Sequence, residues 1–195
     1  MKNTLWIAIR FTLLTTLAFG LLYPLAVTFL SQKLFPAQAN GSLIAVRGEA
    51  TAGTRGSRLI GQPFTSTKYF HSRPSAAGNG YDATASGGSN LGPTNQQLVE
   101  RVKQSVEKLK QENPGVAIPA DLVTASGSGL DPDISPASAS FQIARVAATR
   151  GATPAALQAL VAKHTQPRQF GLFGEPRVNV LELNLDLDAQ FPSKE

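Results

Sequence analysis

Apolar and polar positions are spread unevenly along the chain. From Phe11 to Leu30, "FTLLTTLAFGLLYPLAVTFL", twenty consecutive residues carry no charge, and eleven of them are Leu, Phe or Val. Wound as a helix, the run is about 30 Å long, the thickness of a bilayer core. Its Leu, Phe and Val side chains favour insertion by roughly 3 to 6 kcal/mol before the threonines are subtracted. No polar face is visible, so the pattern predicts a transmembrane helix at residues 11–31, after a short N-terminal segment at 1–10. A cleaved secretory signal is the alternative, because Ala37 and Ala39 make an A-x-A site. The run exceeds the ~7–15 apolar residues of a signal core, which favours a permanent anchor. Thr12, Thr16, Gly20 and Pro24 recur every four residues. Small residues at that spacing let a second helix approach closely, so this stripe is a candidate packing face.

Beyond the anchor, residues 32–195 predict one compact α+β domain with a small sheet and about three helices. Gly41–Val46 and Ser57–Gln62 read as strands, and Lys68–Arg73, "KYFHSR", as a third that stops at Pro74. Pro74–Pro93 is a long Gly/Ser/Ala/Asn-rich loop; loops of that length are functional or disordered. Thr94 as N-cap with Gln97 three residues on opens a helix whose apolar face is Leu98, Val102, Val106 and Leu109. It ends at Glu112-Asn113-Pro114. A second Gly/Ser-rich loop spans Leu122–Asp133. Ser135-Pro136 starts a further helix that stops near Gly151, and Thr153-Pro154 starts another through Leu157, Leu160 and Val161. In Leu181–Asp188, "LELNLDLD", leucine alternates with polar residues, which predicts a closing strand.

The chain has 195 residues, a formal net charge of +5 and no cysteine. Neither a disulfide nor a thiolate site can form. The basic residues are scattered, which argues against a nucleic-acid arm. The two histidines, His71 and His164, lack metal-ligand spacing, and Asp131-Pro132-Asp133 lacks the later ligands of an EF-hand and reads as a turn. No serine sits in a G-x-S-x-G elbow. "SGGSNLGPTN", Ser86–Asn95, has no lysine or arginine and so is no Walker-type P-loop. Its amides could still make an anion nest, a flexible connection or a docking surface. Lys2, Arg10 and the amino terminus flank one side of the anchor and Lys33 the other. The positive-inside rule then places the N-terminus in the cytoplasm and the domain outside.

Several strings carry a resemblance. They are "YPL" at 23–25, "FPAQANGSLI" at 35–44, "GSRLIGQPF" at 56–64 and "YFHSRPSA" at 69–76, then "SGGSNLGPTN" itself. They continue with "LVTASGSGLDPDISP" at 122–136, "QIARVAATRG" at 142–151 and "GEPRVNVLELNLDLD" at 174–188. Together they resemble the C-subunit family of the Kdp potassium-transporting P-type ATPases, from the anchor to the C-terminal segment. "AVRGEATAGTRG", Ala45–Gly56, is longer than is usual for that connection.

The resemblance implies an accessory subunit beside a channel-like A subunit, an ATP-hydrolysing P-type B subunit and a small single-span F subunit in the cell inner membrane. It implies a role in assembly and in raising the B subunit's affinity for ATP. ATP and Mg then belong to the B subunit and potassium to the A subunit, and this chain is assigned no cofactor, metal or catalytic residue. In agreement, the chain lacks an Asp-Lys-Thr-Gly motif and a TVGYG-like filter. Within that picture the candidate docking or capping residues are Tyr69, His71 and Arg73, the loop Ser86, Gly87, Gly88, Ser89 and Asn90, and Ser126 and Asp131. A purely structural role for these loops, a cleaved exported binding protein or hydrolase, and direct ATP binding through Ser86–Asn95 remain the competing readings.

Overall fold

Leucine, the commonest residue of the N-terminal run, is not branched at Cβ and loses little freedom in a helix, and the run is helical throughout. The computed structural model describes residues 2–45 and 53–192; Val46 and most of the Ala45–Gly56 connection lie outside the described residues. Two compact units divide the chain, Met1–Ser57 and Arg58–Glu195. In the first, α1 (Lys2–Thr15) and α2 (Tyr23–Leu34) are joined by a π-helical segment, Thr16–Leu22, into one helix of 33 residues. That is about 50 Å of rod at 1.5 Å per residue, long and apolar enough to cross a membrane. It is longer at both ends than the uncharged stretch. Pro24 accounts for the π-turn. It has no N–H to donate, and its ring crowds the carbonyl four residues back, that of Gly20. The ladder loosens ahead of it, and the Tyr23 N–H reaches back to the Ala18 carbonyl.

A short helix, α3 (Pro36–Ala39), follows and contains Ala37 and Ala39. Strands β1 (Leu43–Ala45) and β2 (Thr54–Ser57) then pair antiparallel with a register shift between Ile44 and Ala45. The second strand therefore lies earlier than the expected Ser57–Gln62. Only Ser57 is shared, and Leu59-Ile60 falls in a turn.

The second unit is built on α4 (Gln96–Glu112), α5 (Pro136–Arg150), α6 (Pro154–His164) and α7 (Val180–Gln190). A three-stranded antiparallel sheet has the order β3 (Asp133–Ile134), β5 (Arg177–Asn179), β4 (Thr165–Gln166). The α+β class is therefore as expected. α5 and α6 start as predicted: Ser135 Oγ accepts from the Ser138 N–H at 3.0 Å, and Thr153 Oγ1 from the Ala156 N–H at 3.3 Å. Gly151 ends α5 in the left-handed conformation, φ 65°. For α4 the cap is Asn95 rather than Thr94, its Oδ1 accepting from Gln97 N–H at 2.8 Å. Phe70, Ile134, Val146, Leu157, Val178 and Leu183 are among the buried core residues, which come from both helices and sheet.

Two expected strands are not strands. Leu181–Asp188 lies in α7. Leucine, glutamate and asparagine lack the β-branching of strand formers, and Asn179-x-x-Glu182 is an N-terminal signature, with Asn179 Oδ1 accepting from Glu182 N–H at 3.1 Å. Val180, Leu183, Asn184 and Leu187 form one buried face at helical spacing.

The other segment, Lys68–Arg73, is hydrogen-bonded by side chains instead of by a neighbouring strand. Arg145 Nη1 donates to the Thr67 carbonyl at 2.5 Å and the Tyr69 carbonyl at 2.9 Å, and Arg150 Nε donates to Lys68 at 2.9 Å. The Asn184 carboxamide takes both the N–H and the carbonyl of Phe70 at 2.9 Å. Gln142 does the same for His71, at 2.7 and 3.1 Å.

The helical assignment of the C-terminus makes a direct prediction. Leu183→Ala removes a buried core side chain and costs about 2–5 kcal/mol. Leu185→Ala, partly exposed, costs about 1 kcal/mol or less. A closing strand would make the two costs alike, and urea unfolding of the detergent-solubilised protein measures both.

Candidate functional site

Glycine and serine bring four stretches of backbone into contact in the second unit. Gly87 N–H donates to the Ser128 carbonyl at 2.8 Å, and Ser86 Oγ to the same carbonyl at 3.0 Å. Ser126 N–H donates to Pro74 at 3.3 Å, and Gly61 N–H to Leu130 at 2.8 Å. Ser75 Oγ donates to the Gly129 carbonyl at 2.6 Å while accepting from the Tyr81 N–H at 2.8 Å. The two Gly/Ser-rich loops predicted from sequence are thus one layer, stitched to 73–77 and 61.

The glycines permit that closeness. A Cβ on Gly129, φ 69°, would stand 2.6 Å from Ala77 N, and one on Gly61 2.5 Å from the Asp131 carbonyl oxygen. A Cβ on Gly88 would meet the Gly127 carbonyl at 3.1 Å.

Side chains pin the layer's edge. Arg73 Nη1 meets Asp131 Oδ2 at 2.8 Å, both half-buried. Asp131 Oδ1 also accepts from the Asp133 N–H at 3.1 Å, which makes the expected turn. The Tyr81 hydroxyl donates to the Arg73 carbonyl; burial pushes that phenol's pKa up. Of the candidate residues, Arg73, Ser86, Gly87, Gly88, Ser126 and Asp131 come together here. Ser89 is half-buried and Asn90 exposed, with φ 51°.

Tyr69 and His71 face elsewhere. The Tyr69 hydroxyl donates to Asp188 Oδ2 at 3.1 Å, and its ring lies 4.8 Å from the Arg150 guanidinium carbon. Arg150 itself bonds Asp188 at 2.7 Å and the Phe191 carbonyl at 3.0 Å, tying down the C-terminal end. His71 borders a cavity of about 190 Å³ with Ser72, Ser105, Lys108, Glu112 and Gln142. Its Nε2 lies 3.0 Å from the Ser66 carbonyl, so that nitrogen carries the proton. Burial first, and then the Arg145 charge, lower its pKa below the usual histidine range.

The layer is held together by hydrogen bonds to main-chain groups. Its Gly87 amide is already committed to Ser128, which weakens the anion-nest reading of Ser86–Asn95. Among the described residues, no group of three His, Asp or Glu side chains is placed to hold a metal ion. In the first unit, Gly20 leaves its face open, with a hypothetical Cβ 3.8 Å from Thr16 Cγ2. Thr15, off the predicted stripe, is the threonine that back-bonds to the helix, to Phe11 at 2.8 Å. Sequence reasoning missed Ser75, Tyr81, Gly61 and Gly129. "PSAAGNGY" carried a signal in its turn residues, but Ser126 and Gly129, the partners of Pro74 and Ser75, lie more than fifty residues away.

Gly129→Ala is expected to destabilise the domain by about 1–3 kcal/mol, while Gly127→Ala, with open space at its Cβ, is near neutral. Denaturant titration compares them. His71 supplies a pH dependence. Its folded pKa lies below the unfolded value, so the unfolded state binds more protons and stability rises with pH. Its contribution is complete above the unfolded value, near 6.5, and is lost as pH falls through that value toward the folded one. Melting temperatures between pH 7.5 and 5.5 should fall more steeply for the native chain than for His71→Gln.

Comparison with known proteins places the chain. The family model described as K+-transporting ATPase, c chain matches residues 5–189. The Potassium-transporting ATPase KdpC subunit of Koribacter versatilis (strain Ellin345) is 58% identical over 192 residues, 98% of this chain and 97% of the relative. The protein of the same name from Caulobacter vibrioides (strain NA1000 / CB15N) is 57% identical over 179 residues, 92% and 89% of the two chains. That from Gemmatimonas aurantiaca is 60% identical over 173 residues, covering 87% and 84%.

Proposed function

The chain belongs to the K+-transporting ATPase c-chain family, and on that premise we propose that it is a non-catalytic accessory subunit of an ATP-driven potassium pump. Its helix anchors it in the cell inner membrane with the N-terminus in the cytoplasm, and its domain stands outside. The domain docks on the channel-like A subunit, and the ATP-hydrolysing B subunit and small F subunit complete the assembly. The observation that carries this reading is the pairing, on one chain, of a membrane-length helix with a loop layer in which the Gly61, Gly87 and Ser126 amides are bonded to neighbouring loops. Such a layer is stiff and low in relief, and another protein can lie close against its backbone.

The same reading covers stability of the assembly and the ATP affinity of the B subunit. A domain outside the membrane cannot touch cytoplasmic ATP. It acts on that affinity only by binding one conformation of the pump more tightly than another, which couples the two sites by linkage. The Thr12/Thr16/Gly20/Pro24 face supplies the intramembrane contact in this arrangement.

Protease accessibility tests it. Trypsin added to spheroplasts should remove the domain, and trypsin added to sealed inside-out vesicles should leave it intact. Ser86→Trp, on the exposed rim of the layer, should reduce the A subunit recovered with the tagged chain. Cleavage only from the cytoplasmic side would end the docking model.

A further inference from the structure

The hairpin between β4 and β5 ends in Phe170-Gly171-Leu172-Phe173, and its apolar side chains are largely uncovered by their own domain. Phe170 is 87% exposed, Leu172 69% and Phe173 60%. The turn is nevertheless well made. Leu172 N–H bonds the Gln169 carbonyl at 3.1 Å, and Gln169 and Phe173 exchange backbone bonds at 2.8 and 2.9 Å. Phe170 and Gly171 have φ values of 54° and 73°, the signature of a primed hairpin turn. At the first of those positions Asn, Asp or Gly is the residue that the backbone favours, and a bulky residue there is an outlier. The fold gains nothing from a phenylalanine that faces solvent in a disfavoured conformation, so the ring answers to something outside the domain.

We propose that this tip dips into the lipid headgroup and upper acyl region of the bilayer that holds the chain's own anchor. Three side chains offer roughly 300–400 Å² of apolar surface. That is well short of the about 800 Å² per partner of a stable protein interface. It suits shallow interfacial insertion, where phenylalanine and leucine enter the acyl boundary and charged side chains stay at headgroup level. Arg168 and Glu175, paired at 2.6 Å at the base of the tip, are placed for that level. Lipid is also the apolar phase that a chain with a membrane-length helix always has within tether reach. The proposal rests on the reading above only in taking that helix as an anchor.

The chain's single tryptophan makes the two ideas separable. The full-length protein is reconstituted in phosphatidylcholine/phosphatidylglycerol vesicles with brominated acyl chains. In the native chain, Trp6 reports on the anchor. In Phe170→Trp with Trp6→Phe, and in Leu172→Trp with Trp6→Phe, the fluorophore reports on the tip. The expected result is that both tip variants emit at shorter wavelength and lose most of their emission to bromolipid, with little loss to aqueous iodide. Quenching by iodide and not by bromolipid, while Trp6 is quenched by lipid, would overturn the proposal and leave the anchor standing. Unquenched Trp6 would sink the anchor itself. Shielding from both quenchers only after the partner subunits are added would also overturn it, because the tip would then occupy a protein pocket.

Discussion

The second unit depends on how the backbone from Thr67 to His71 is satisfied. This stretch passes from an exposed Thr67 to a fully buried Phe70 without a neighbouring strand, and an unpaired buried peptide group costs free energy comparable to a lost hydrogen bond. Side chains from two helices take the place of the missing strand. Arg145, Arg150 and Gln142 of α5 and Asn184 of α7 together reach every carbonyl from Thr67 to His71. Gln142 and Asn184 are themselves buried. Each is costly to bury unpaired and well satisfied in this one arrangement, so together they fix the spacing of α5, α7 and the segment between them.

From that fixed segment the chain passes directly into the glycine-closed layer, through Arg73 and its partner Asp131. The layer inherits its position from the interior and its flatness from the absence of side chains. A surface made mostly of main chain presents few rotamers to be ordered when another molecule covers it, so little conformational entropy is lost on contact. The loops that the composition marks as mobile connectors are, in this setting, a well-fastened face.

Local signals were legible and distant ones were not. The N-terminal apolar helix, the Ser135-Pro136 and Thr153-Pro154 helix starts and the Gly151 stop are written in contiguous stretches of sequence, and all were readable. The C-terminal segment was misread because leucine at alternate positions satisfies a period of two and, in a helix buried on most sides, the helical pattern as well. There Asn179-x-x-Glu182 and the lack of β-branched residues were the better guides. "KYFHSR" looks like a strand because it is extended and half-buried. What distinguishes it is its partners, Gln142 and Asn184, which lie 71 and 114 residues away. The closing of the two glycine loops was hidden for the same reason: Gly87 and Ser128 meet only after the intervening helix α4 has been placed.

The π-helical segment before Pro24 amounts to an α-helix carrying one surplus residue. In an unbroken α-helix, a single-residue deletion swings everything beyond it by about 100° and misaligns whatever each half touches. Here the surplus lies between Thr16 and Leu22, so shortening the chain by one within those residues would take up the slack, while Pro24 would still leave one carbonyl of the turn before it without a donor. The rotational phase of the two halves would then survive. The rod can thus be treated as two cylinders, Lys2–Thr15 and Tyr23–Leu34, with an adjustable collar between them.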